Sequence, residues 1–136
     1  MRTDEIMNEL KKRDGGEFPE ELIASEGVDI AEYLKELLEV KAVTVSALAA
    51  KLPYDRSYLY QFFNGRRKPT RTLLLQIAIL LSLSADEAGR LLRIGQRADL
   101  YPKVRADAVV IYALEHGLSP DETDELLTQV GEDTLF

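Results

Sequence analysis

Residues 70–83 read TRTLLLQIAILLSL, and no other stretch constrains the fold so tightly. As a helix this run is apolar on most of its faces, so it belongs at the buried centre of a larger body. It is too short to cross a bilayer, which takes about 20 apolar residues. Other elements must therefore wrap it, and the rest of the chain offers helices. Sustained period-2 alternation and Thr/Val-rich runs are missing. The expected fold class is all-α, with five to seven helices in one domain.

Helix boundaries are written in capping residues. Asp29 with Glu32 has the spacing of a capping box, and Ile30, Leu34, Leu37 and Leu38 follow at helical spacing. Thr44 opens a second helix carrying Leu48, Ala49 and Leu52, which Pro53 stops. Asp55 caps a third, which runs to about Asn64 and closes at Gly65, the left-handed residue of many helix ends. Thr70 starts the apolar run. Ser84 with Glu87 forms a second box, and Gly95 weakens the end of that helix. Pro102 fits the first turn of the next, with Ala106, Val109, Val110, Ala113 and Leu114 inward and Gly117 at its end. Ser119-Pro120-Asp121-Glu122 signals a last helix, buried through Leu126, Leu127 and Val130.

Composition narrows the chemistry. The 136 residues suffice for a core without staples, and there is no cysteine, which excludes disulfides, thiolate metal sites and cysteine nucleophiles. The first residues, MRTDEIMNELKKRDGGEF, lack the apolar core of a signal peptide, so a cytoplasmic location is expected. The N-terminal stretch 1–27 reads as an arm or short helix, with Ile6, Met7 and Leu10 on one side, and is a candidate dimer contact. His116, the only histidine, sits at a helix C-terminus where its partial charge suits the dipole. No zinc-binding spacing and no acid/base pair in a cleft is evident, so neither enzymatic activity nor a metal, cofactor or small-molecule ligand is expected.

Charge is distributed unevenly. The chain carries a formal net charge of -7, yet residues 44–71 hold Lys51, Arg56, Arg66, Arg67, Lys68 and Arg71 against Asp55 alone. That segment is +5, leaving -12 for the remainder. It contains two short helices joined by a tight turn at Pro53, Tyr54 and Asp55, which is a helix-turn-helix arrangement. Ala49 is small enough for the two helices to cross closely. Leu59 and Phe62 fall inward, leaving Arg56, Ser57, Tyr60 and Gln61 outside. Such a helix can enter the major groove of double-stranded DNA. Arg56 can take guanine bidentately, Ser57 can pair with several bases, and Gln61 can pair with adenine or bond a phosphate. Asn64, Arg66, Arg67, Lys68 and Arg71 are placed for the flanking backbone.

These residues resemble the Xre-type family of lambda-repressor-like and Cro-like helix-turn-helix proteins. The resemblance covers roughly residues 29–87 and rests on Ala49, the third helix SYLYQFFNG, the loop GRRKPT and the leucine-rich helix LLLQIAILLSLS. It implies a sequence-specific DNA-binding regulator, a dimeric repressor, with the third helix in the groove. By position it puts Arg56, Ser57 and Tyr60 at bases and Asn64 at the backbone. One place departs: where the family often has a glutamine that bonds phosphate, this chain has Val45, and Ser46 is left to make that contact. The expected organisation is an arm at 1–27, a helix-turn-helix domain at 28–88, and an extension of two to three helices at 89–136, packed on it or serving as a dimer contact. The rival reading keeps the fold but makes it a protein-binding adaptor or antitoxin-like subunit, using Tyr58, Tyr60 and Phe63.

Overall fold

The computed structural model describes residues 29–136. The expectations for residues 1–27 lie outside the described residues. Seven helices follow one another: α1 (Ile30–Val40), α2 (Val45–Ala49), α3 (Arg56–Phe63), α4 (Arg71–Leu80), α5 (Ala85–Ile94), α6 (Arg105–Glu115) and α7 (Pro120–Gln129). No strand occurs among the described residues, as an all-α chain requires.

Side chains start nearly every helix. Thr44, Asp55 and Thr70 each accept the backbone N–H three residues on, and Ser84 and Ser119 form complete capping boxes with Glu87 and Glu122. Asp29 does cap α1, through the Ala31 N–H at 3.0 Å, but its expected box partner turns away: Glu32 pairs with Lys35 instead. The start of α6 also differs. Pro102 lies in a preceding turn, where the Val104 N–H donates to the Tyr101 carbonyl at 2.9 Å, and helix begins only at Arg105.

Helix ends share one geometry. After α1, α3, α4, α5, α6 and α7 a residue of positive φ reverses the chain: Ala42, Gly65, Ser82, Gln96, Gly117 and Gly131. The next N–H then donates back to a carbonyl five residues earlier, as in Val43 to Leu38 and Leu83 to Ala78, both at 3.0 Å. Gly95 is not the left-handed residue of α5, since Gln96 takes that place. Its reason is space: a Cβ there would meet Leu74 Cδ1 at 2.7 Å.

Leu73 to Ile79 of α4 are all buried, and α5, α6 and α7 pack around that helix. α3 packs on α1 and α2. One continuous core joins Leu34 and Leu38 of α1, Leu59, Phe62 and Phe63 of α3, α4, and Val110, Ala113 and Leu114 of α6. Two polar links tie the later helices to this body. Arg71 donates to both oxygens of Asp107, at 3.2 and 2.9 Å, and to the carbonyls of Ala98 and Asp99. Gln76, 1% exposed, accepts from the Tyr54 hydroxyl and donates to the Leu135 carbonyl. Asp124 receives the N–H groups of Leu135 and Phe136, so residues 135–136 fold back onto the core.

Four inward assignments change. Ala106, Val109 and Leu126 are only half-buried, and Val130 is 37% exposed, whereas Asp107 and Thr123 are buried. Periodicity ranked these positions by hydrophobicity, but the Arg71 pair turns Asp107 inward.

Replacing Arg71 with Ala would strand that carboxylate. The expected loss is about 2–3 kcal/mol of folding stability by urea denaturation. The double change Arg71→Met with Asp107→Leu should recover much of it.

Candidate nucleic-acid interface

The exposed face of α3 is set by what the helix buries. Leu59, Phe62 and Phe63 enter the core, which turns Arg56, Ser57 and Tyr60 to the solvent; Tyr60 is 43% exposed. Gln61 is half-buried at the edge of this face. At its start, Asp55 accepts from the Tyr58 N–H at 2.8 Å and from the Ser57 hydroxyl at 2.9 Å. Those bonds, the backbone one first, hold the Asp55 carboxyl below the usual carboxylate range. The one acid of the basic segment is therefore a helix cap, and the Ser57 hydroxyl is turned toward it.

Aromatic packing fixes the helix from the side. Tyr54, Tyr58 and Phe62 form a ladder with ring centroids 5.3 and 4.9 Å apart, the second pair edge-to-face. The Arg67 guanidinium closes the ladder, 5.3 Å above the Tyr58 ring. The rival use of Tyr58, Tyr60 and Phe63 as one protein-binding surface is not supported by this arrangement. Phe63 is core, and Tyr58 is engaged on both sides, leaving Tyr60 alone.

The loop after α3 is tightly held. The N–H groups of Arg66 and Arg67 both donate to the Gln61 carbonyl, and Arg66 N–H also reaches the Asn64 side chain at 3.2 Å. Lys68 Nζ donates to Gln96 Oε1 at 3.0 Å, and Arg97 holds the Pro69 carbonyl at 2.9 Å. Asn64, Arg66, Arg67 and Lys68 are all exposed. Gln96 and Arg97 were invisible as site residues in the sequence, because they lie 28 positions from their partners. No local spacing signals such a pairing.

The second helix presents Ser46 at its exposed first turn, while Val45 is half-buried against the core. Val45 is thus a packing residue here. Arg71 leaves the expected set. Its guanidinium is committed to Asp107 and two carbonyls, so it braces α6 rather than facing outward with the loop cations. Without it the segment still carries five cations against Asp55.

A helix-turn-helix domain model matches residues 29–96, half of the chain. The protein belongs to the helix-turn-helix domain family. Membership points to DNA binding in general, and the match extends through α5 to Gln96, the residue that anchors Lys68. No curated protein and no solved structure matches the chain. Among the described residues, no helix is long and apolar enough to cross a membrane, and no group of three or more His, Asp or Glu is placed to hold a metal ion.

Asp55 offers a direct check on how the face is built. Asp55→Ala removes the cap and should lower the melting temperature, whereas Asp55→Ser keeps an acceptor and should restore most of it. Because the folded carboxyl is held low, the cap contributes above the ordinary carboxylate range. Its contribution disappears as pH falls through the folded value. The wild-type minus Asp55→Ser difference should therefore shrink on acidification.

Proposed function

We propose that this protein is a sequence-specific regulator of transcription, acting in the cytoplasm as a repressor that lays α3 in the major groove of double-stranded DNA. The single observation behind the reading is the exposed, acid-poor face that α3 shares with the 64–68 loop on an otherwise acidic protein. Arg56, Ser57 and Tyr60 would meet bases, with Arg56 bidentate to guanine. Gln61 would meet a base or a phosphate at the edge. Ser46, Asn64, Arg66, Arg67 and Lys68 would hold the backbone on either side. Arg71 is omitted because its donors are used within the fold.

Two copies would read a partly palindromic site with half-sites about one helical turn, roughly 34 Å, apart. Phosphate contacts by Arg66, Arg67 and Lys68 would release counterions, so affinity should fall with salt, while the acidic remainder weakens nonspecific binding. It also disfavours binding in any other orientation.

The test compares two alanine variants by fluorescence anisotropy on operator-length duplexes. Arg56→Ala should cost about 1–3 kcal/mol and relax the preference at one base position. Arg67→Ala should weaken all sequences alike and flatten the salt slope by about one unit. Unchanged affinity in both variants would contradict the docking of α3. A stable complex with a protein and no DNA shift would favour the adaptor reading instead.

A further inference from the structure

The packing of α6 and α7 leaves a seam uncovered. Arg105, Ala108, Val109 and Tyr112 fall on one stripe of α6, and Leu126 and Val130 face them from α7. Together they line an open groove of about 410 Å³. Tyr112 stands 52% exposed beside it, and Val104 and Tyr101, just before α6, are also exposed apolar side chains. These four, counting Val130, account for most of the large exposed apolar groups among the described residues. Scattered surface apolar residues mean little, but a clustered set marks a contact.

We infer that this groove is the dimer interface, occupied by α6 of a second copy of the same chain in an antiparallel two-fold contact. A two-fold contact requires one surface to carry both a projection and its recess. This surface does. Tyr112, 52% exposed, stands one helical turn from Ala108, a small, half-buried side chain that also lines the groove. An antiparallel crossing centred between Ala108 and Val109 pairs each Ala108 with Val109 of the other copy and lays each Tyr112 over the first turn of the other α6. The same crossing brings Arg105 against the partner's Tyr112, a guanidinium on an aromatic face. Arg105 is already held for this by its bond to the Val130 carbonyl at 3.1 Å.

Charge permits a second copy as the occupant, and the self-complementary stripe favours it. Each chain carries -7, so two copies can meet closely only where carboxylates are absent. No carboxylate lines the groove, and its one charged group is a cation. Position is compatible with the proposed function as well. α6 and α7 join the body through α4 and α5, whereas α3 joins it through α1 and α2. None of the six residues lining the groove belongs to α3, whose exposed side chains include Arg56, Ser57 and Tyr60. The inference gives the two-copy part of the DNA reading its physical site, and it rests on that reading only for the use of the dimer.

The test is sedimentation of the full chain without DNA. The wild type should be a dimer. Ala108→Arg, which fills the recess with charge, and the milder Tyr112→Ser should each raise the dissociation constant at least about tenfold. Both should keep the wild-type circular dichroism spectrum. The chain has no cysteine, so Ala108→Cys gives a single thiol. A short bismaleimide should link it into covalent dimers, and the exposed Thr128→Cys should not link. A monomeric wild type, a dimer insensitive to both substitutions, or equal linking at the two thiols would each overturn the interface. DNA binding is read separately: a dimer of this kind that fails to bind any duplex would contradict the regulator and leave the interface standing.

Discussion

The burial of α4 is the constraint on which the other helices depend. Seven consecutive side chains from Leu73 to Ile79 are out of water, so partners must cover this helix all round. A fully buried Leu or Ile contributes about 1.5–3 kcal/mol, enough to offset the entropy of ordering its own residue. The helix-turn-helix pair covers part of α4, and α5 to α7 cover more. One position in the run is polar. Gln76 would be costly there unpaired, and it joins the Tyr54 hydroxyl at the α2–α3 turn to the Leu135 carbonyl near the chain's last residues. The same buried amide therefore links the turn before α3 to the segment that α7 returns through Asp124.

The basic loop owes its placement to the ordinary way this chain ends a helix. At α1, α4 and α6 the residue after the left-handed position is Val43, Leu83 or Leu118, which packs on the core. At α3 the corresponding residue is Arg66. The same backbone reversal that delivers an apolar anchor at those three ends here delivers a cation to solvent, with Arg67 and Lys68 behind it. Arg67 then lies on Tyr58, and Lys68 reaches Gln96, so the cations stand in a fixed arrangement relative to α3. In the proposed DNA complex, such preordering would lower the entropy cost of engaging a phosphate backbone.

Local rules explain what was readable from the sequence. Thr44, Asp55, Thr70, Ser84 and Ser119 announce helix starts because a side-chain oxygen satisfies amides within three residues of it. The inward turn of Leu59 and Phe62 follows from spacing, and it leaves Arg56, Ser57 and Tyr60 outside. What was hidden depends on residues distant in sequence. Arg71 looked like one more loop cation, and only the approach of Asp107, 36 positions on, gives it an internal role. The groove was hidden for a related reason. Val109 and Val130 have core-like side chains, but α6 and α7 turn Asp107 and Thr123 inward and leave them at the seam. Ala42, Ser82 and Gln96 hold left-handed positions that composition would give to glycine, so those helix ends were not marked.

Selection from a random duplex library, with the enriched pool scored by anisotropy at two salt concentrations, tests the central claim most directly. A DNA-reading α3 should enrich a single half-site, repeated with two-fold symmetry about one helical turn apart, and binding should weaken steeply with salt. A pool with no enriched sequence, bound only weakly and equally by all duplexes, would contradict a reading helix at α3.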